Sequence, residues 1–403
     1  MAKRVPASQN LRTVGSLKRL PGKFPLIFLS LWIGTILAGI PHTTFAASIA
    51  TPSTQASTLR PSGLISRGVP AYSSSGQASD ANSASYATYF RESVPGWLAY
   101  DLSSVPLRNR ADVVVAYFND TVTYHYDHVL VDQVGYDNLG SYTIDANAAP
   151  GGSAPPQTGW VTLATITNNT LHSRQNVVHM KGYNWLRLNI TQSDGSPENY
   201  DAMFKMDVYD AHQVLSDDWI FLGDSITANI MHHGPIGTTG NFSQLINAAA
   251  PTHFPLQEDG GIGGVKSGDG AAHIDDWLSH FPGKYVDLSY GTNDAGYCDD
   301  AATFQQNMMY MVHAILSLHK IPIIPHIPWA PLSSVQTCGP ALNAVIDQMY
   351  RHIPQIIRGP DLWALFLNRQ ELFADVLHPN TDGEILYRQA WVHTALKVYA
   401  TKE

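Results

Sequence analysis

The sequence predicts an α/β domain built on a parallel sheet, preceded by an antiparallel β-sandwich. Three observations lead there. Between about Tyr86 and His212 the chain reads only as strands. From about Asp217 short apolar runs alternate with helical ones, which argues a parallel sheet with helices on both faces. The polar residues able to do chemistry fall just after strands of that second region, where ligands of parallel sheets gather.

The sandwich strands are Val113–Phe118, Thr121–Tyr126, Trp160–Ile166, Tyr183–Ile190 and Phe204–Tyr209. They are rich in β-branched and aromatic residues, and Asn, Asp, Gly and Pro clusters separate them. Tyr183–Ile190 resembles the late strand of galactose-binding or jelly-roll modules. In the α/β part, Trp219–Leu222, Tyr285–Tyr290 and Ile321–Ile327 read as strands. Helical spacing runs over Ala271–Phe281, Thr303–His319, Ala341–Ile357 and Ile385–Tyr399.

The flanks differ in texture. Residues 1–46 hold six Lys and Arg, then an apolar run from Phe24 to Ile40 and small residues through Ala46. This is the order of a secretory signal peptide, with an uncleaved membrane anchor as the alternative. Either places the body outside the cytoplasm. Residues 47–85, rich in Ser, Thr, Ala and Pro, read as a linker. The sandwich then occupies 86–214 and the α/β domain 215–403. Loss of the six basic residues takes the net charge from −9 to −15, and so acidic a body is a poor partner for nucleic acid. Cys298 and Cys338 are the only cysteines. In an oxidising compartment they form one disulfide or remain two buried thiols.

Four segments carry chemistry. Gly223-Asp224-Ser225 follows the first strand of the α/β domain, and a tight turn there presents Ser225 at the start of a helix. Taken alone, Gly-Asp-Ser is also ordinary helix-capping chemistry. Asp375 precedes His378 by three residues, so one turn lets the carboxylate hold the imidazole while the other ring nitrogen serves the serine. Gly291-Thr292-Asn293-Asp294 follows another strand, where the Asn293 amide can donate to an oxyanion, although Asn-Asp is also an ordinary turn. The glycine-rich run from Asp259 to Gly264 lets backbone approach a substrate closely.

In this order the four segments resemble the SGNH (GDSL-like) hydrolase family over roughly residues 217–400. Gly223, Asp224 and Ser225 match its first block and Gly264 aligns with its second. Gly291, Asn293 and Asp294 match the third, and Asp375, His378 and Pro379 the last. The resemblance implies a flavodoxin-like fold and ester hydrolysis through an acyl-enzyme. Ser225 is then the nucleophile, His378 the base and Asp375 its orienter. Ser225 N–H, Gly264 N–H and Asn293 form the oxyanion hole, with Gly223, Asp224 and Asp294 in support. The chain departs at Asp259, where the family often has Asn.

That chemistry needs no metal, nucleotide or redox cofactor. His232-His233 lacks a second ligand cluster at metal-binding spacing and reads as a packed or solvated pair. Trp219, Trp329 and Trp363 read as core residues, with Trp329, after a strand, the one candidate sugar platform. The leading expectation is a secreted esterase removing acetyl groups from a polysaccharide, as the pairing with a β-sandwich resembles some acetylxylan esterases. A lipid or general short-acyl esterase, a glycan O-acetyltransferase and a non-catalytic glycan-binding protein are the alternatives. Oligomeric state is left open.

Overall fold

The computed structural model describes residues 63–119, 138–193 and 202–401. The expected signal segment 1–46 and the strand Thr121–Tyr126 lie outside them. Among the described residues no helix is long and apolar enough to cross a membrane.

The first half is a two-sheet sandwich. Its strands are β1 (Ala71–Ser73), β2 (Phe90–Glu92), β3 (Gly96–Asp101), β4 (Asp112–Asn119), β5 (Leu139–Asn147), β6 (Val161–Ile166), β7 (Ser173–His179), β8 (Trp185–Ser193) and β9 (Ala202–Asp210). One sheet runs β1-β3-β8-β5-β6 and the other β2-β9-β4-β7, with antiparallel neighbours throughout. Alternate residues point inward. Leu98, Tyr100, Leu186, Leu188, Tyr142 and Ile144 of the first sheet meet Val113, Val115, Phe204, Met206 and Val208 of the second.

The second half begins after a one-turn helix, α1 (Ala211–Val214). It contains β10 (Asp218–Gly223), α2 (Ser225–Met231), α3 (Phe242–Ala249), β11 (Leu256–Gly261), α4 (Ser267–Ser279), β12 (Tyr285–Ser289), α5 (Thr292–Gly296), α6 (Ala301–Ser317), β13 (Ile321–Ile324), α7 (Ser333–His352), β14 (Ile357–Arg358), α8 (Leu362–Phe366) and α9 (Thr381–Ala400). The strands pair in parallel in the order β11-β10-β12-β13-β14, a flavodoxin-like arrangement. Both faces are covered, so the strands are apolar on both. Ile220, Leu222, Val286 and Leu288 pack on α4, α6 and α7, whereas Trp219, Phe221, Tyr285 and Ile323 pack on α3, α8 and α9. Complete burial of a side chain such as Leu288 is worth about 1.5–3 kcal/mol.

The two halves share an interior. The outer face of the second sandwich sheet carries Val114, Ala116, Phe118 and Tyr209, and these join Phe254 and Leu256 beside the parallel sheet. Strand β7 meets β11. Gln175 donates to Asp218 at 2.9 Å, and the Phe118 ring stacks on His233 at 3.4 Å. Strand β4 is therefore buried on both faces, which its unbroken Val-Val-Val-Ala-Tyr-Phe run requires.

Three expectations need correction. The linker expected over 47–85 does not extend to its predicted end, because residues 63–85 are part of the sandwich. Leu64, Ile65, Val69, Ala78 and Ala81 are buried, and Asn82 donates to the Ser66 and Val69 carbonyls. The Lys205 ammonium pins this segment through the carbonyls of Asp80, Ser85 and Thr88. Polar composition disguised a few well-spaced anchors. Helix α7 begins at Ser333 and not at Ala341, since Pro340 is accommodated within it. Trp329 is only 4% exposed and packs edge-on to Phe373, so it offers no platform to a sugar.

Candidate active site

Strand β10 leads directly to Ser225, the expected nucleophile. A side chain at Gly223 would collide with Thr227 and the Ser289 carbonyl, so only glycine allows the chain to turn here. Asp224 caps α2 by accepting from Ile226 N–H at 2.9 Å, and Ser225 becomes the first helical residue. Its N–H is one of those a helix leaves without an internal partner. Burial pushes the Asp224 carboxyl up to about 6, against the opposing effect of the Ile226 N–H and the Thr292 hydroxyl.

His378, the expected base, sits in the turn before α9. Asp375 Oδ1 accepts from Leu377 N–H at 2.6 Å and His378 N–H at 2.7 Å, and Ala374 N–H closes the turn on the His378 carbonyl at 2.9 Å. Asp375 Oδ2 lies 2.9 Å from His378 Nδ1, and His378 Nε2 lies 2.9 Å from Ser225 Oγ. Asn380 then starts α9 by accepting from Asp382 and Gly383 N–H at 3.1 Å. Partial burial raises the Asp375 carboxyl, but the His378 backbone N–H, the imidazole and the Leu377 N–H outweigh it. The carboxyl settles at about 2 and is ionised at any ordinary pH. It is 55% exposed and the imidazole 34%, so the base faces a substrate arriving from solvent.

The third and fourth segments support one another. Gly291 has φ +122°, a left-handed conformation that opens α5 and brings Asn293 round. One N–H of the Asn293 amide donates to the Val265 carbonyl at 2.8 Å; the other has no hydrogen-bond partner among the described residues. Gly264, one residue earlier, sits at φ +80°. Asp294 accepts from Ser267 N–H at 3.0 Å and from its hydroxyl, tying the start of α4 to α5. Asp259 accepts from Gly261 N–H at 3.0 Å and lies 3.7 Å from His172 of the sandwich. The strand leading into the glycine loop thus leans on the first domain.

The structure brings Ser225, His378 and Asp375 into one hydrogen-bonded line and ties Asn293 to the residue after Gly264. Cys298 and Cys338 are joined in a disulfide. His232 and His233 are packed side chains. His233 bonds the Gln257 carbonyl at 2.8 Å, and His232 accepts from Gly234 N–H at 3.0 Å. Burial lowers both, His232 to about 4, so both are neutral at pH 7. Sequence reasoning missed Ser267 and Thr292, the partners of Asp294 and Asp224. A serine opening a helix and a threonine inside a motif carry no distinctive spacing, and only tertiary contact reveals them.

Residues 221–384 match the model of the GDSL-like lipase/acylhydrolase family. Solved structures similar to this chain include a lipase/acylhydrolase from Enterococcus faecalis, 21% identical, covering 44% of this chain and 93% of that one at a TM-score of 0.34. Another is a psychrotrophic esterase from a Pseudoalteromonas species, 17% identical, with 46% and 100% coverage and a TM-score of 0.36. An acetylxylan esterase from Geobacillus stearothermophilus is 17% identical, with 45% and 94% coverage and the same TM-score, 0.36. No curated protein sequence matches the chain. The α/β half of this chain thus carries a GDSL-like lipase/acylhydrolase domain, the domain of a carboxylic ester hydrolase.

Proposed function

We propose that this protein is a secreted serine esterase that removes short acyl groups, acetyl above all, from a carbohydrate through an acyl-enzyme on Ser225. The observation that carries the mechanism is the 2.9 Å contact between Ser225 Oγ and His378 Nε2, backed by the 2.9 Å contact of Nδ1 with an ionised Asp375. His378 takes the serine proton as Oγ attacks the ester carbonyl. The Ser225 and Gly264 N–H groups and the free Asn293 N–H receive the developing oxyanion. The imidazolium protonates the departing alcohol, and neutral His378 then draws a proton from the water that releases the acid. Asp375 holds one tautomer and stabilises the imidazolium without taking its proton.

Secretion is supported by the order of residues 1–46 and by the disulfide, since such bonds persist in oxidising compartments. A carbohydrate substrate is supported by the pairing of the sandwich with the catalytic domain, the two sharing a buried apolar cluster. The test is hydrolysis of p-nitrophenyl acetate against longer p-nitrophenyl esters by the parent and Ser225→Ala. Activity strongest on acetate, with kcat reduced by about 10⁶ in the variant, is expected. Activity that survives the substitution removes Ser225 from its role, and a preference for long acyl chains removes the acetyl reading.

A further inference from the structure

Two side chains outside the catalytic line meet at the surface on the loops that carry the oxyanion donors. Lys266 lies two residues after Gly264, and Tyr297 four residues after Asn293. The bond from the Asn293 amide to the Val265 carbonyl fastens these loops together immediately before Lys266. Lys266 Nζ rests 4.1 Å from the centroid of the Tyr297 ring and 2.8 Å from Asp299 Oδ2.

Tyr297 is 75% exposed, the most open of the large apolar side chains among the described residues. Its backbone is nevertheless fixed. Tyr297 N–H donates to the Asn293 carbonyl at 3.1 Å, and the next residue, Cys298, is bridged to Cys338 on α7. The chain thus spends a covalent cross-link and a hydrogen bond on holding an aromatic ring out in water. Lys266 lies over the ring, and most of the side chain remains exposed. A bare surface cation–π pair is weak and needs no such support.

An exposed aromatic ring on the loop that carries Asn293 suits a partner with an apolar face and polar edges. A sugar ring has that shape: its axial C–H groups form a face that packs on an aromatic ring, while its hydroxyls stay in water. Charge narrows the choice further. The Lys266 ammonium is balanced by Asp299, which suits a neutral sugar over a carboxylate-bearing one.

We infer that the Tyr297 ring is the floor of a subsite for a neutral sugar ring of the substrate, steadied from behind by Lys266 and the Cys298–Cys338 bridge. This rests on the carbohydrate esterase reading above and names its specificity determinant. The experiment compares kcat/KM for acetate release from chemically acetylated cello- and xylo-oligosaccharides with kcat/KM for ethyl acetate, which has no ring to stack. Tyr297→Ala is expected to lower the oligosaccharide-to-ethyl-acetate ratio about tenfold, and Tyr297→Phe to keep it within about threefold. A ratio unchanged in Tyr297→Ala overturns the subsite, as does a parallel fall in both rates. An equal loss in Tyr297→Phe assigns the effect to the hydroxyl and overturns the stacking. If the parent hydrolyses ethyl acetate yet releases nothing from either oligosaccharide, the carbohydrate reading itself fails and the subsite falls with it.

Discussion

Asp224 and Asp375 attend the same serine from opposite surroundings. Asp224 is sealed beneath the nucleophile turn, 2% exposed, and burial lifts its carboxyl to about 6. Asp375 stands 55% exposed at the rim, and two backbone N–H groups and an imidazole hold it at about 2. The difference separates two duties. The carboxylate that must stay charged opposite a forming imidazolium is kept charged by donors fixed in its own tight turn. The buried one caps a helix, a task that a neutral acceptor also performs.

The strongest way to break this comparison is Asp375→Asn, which keeps the shape and removes the charge. A fall in kcat of about 10³–10⁴ on p-nitrophenyl acetate is expected, because the amide favours the wrong imidazole tautomer. A loss under tenfold would show that the exposed carboxylate is dispensable. Next comes Asn293→Ala, expected to lower kcat by about 10²–10³ through loss of one oxyanion donor. A change below threefold removes Asn293 from the hole.

The rim is also held covalently. Cys298→Ser with Cys338→Ser opens a loop whose ends are 40 residues apart, and chain entropy puts the expected destabilisation at about 4 kcal/mol. Urea denaturation measures it, and a loss below about 1 kcal/mol would show the turn after α5 to be fixed without the bridge.

The smallest effect concerns pH and carries opposite signs at the two carboxylates. Asp224, raised in the fold, erodes stability as pH climbs from about 4 to about 6, and the penalty is complete above that. Asp375, depressed in the fold, contributes stability above about pH 4 that disappears as pH falls towards 2. Asp224→Asn retains the cap and removes the buried charge. It is expected to raise stability at pH 8 by on the order of 2 kcal/mol, with the gain vanishing below pH 4. Equal melting temperatures for parent and variant across that range would sink the assignment.

Much of this site was legible because its chemistry is local. Asp375 and His378 share one turn, Ser225 directly follows a glycine turn, and Asn293 sits two residues beyond the left-handed Gly291. Spacing alone exposes such units. Strands β4, β6, β8 and β9 of the sandwich and β10, β12 and β13 of the parallel sheet were legible from their β-branched, aromatic and apolar runs, whereas β3, β5, β7 and β11 were not read from the sequence. What stayed hidden depends on contacts between distant segments. Leu64 and Ala81 look like linker residues until the sandwich core receives them. Pro340 looks like a helix boundary although α7 runs through it. The grip of Ser267 on Asp294 joins residues 27 apart, and no local pattern announces it.

The shared interior of the two halves bears on how this protein comes apart. Cutting after Val214 would bare Val114, Ala116, Phe118 and Tyr209 on one fragment and Phe254 and Leu256 on the other. It would also strand Asp218 without Gln175. Neither fragment is a transplantable module, and fusions that swap the sandwich for another binding domain inherit a raw apolar face. Calorimetry is expected to record one endotherm for the pair, because unfolding either half exposes the apolar face of the other.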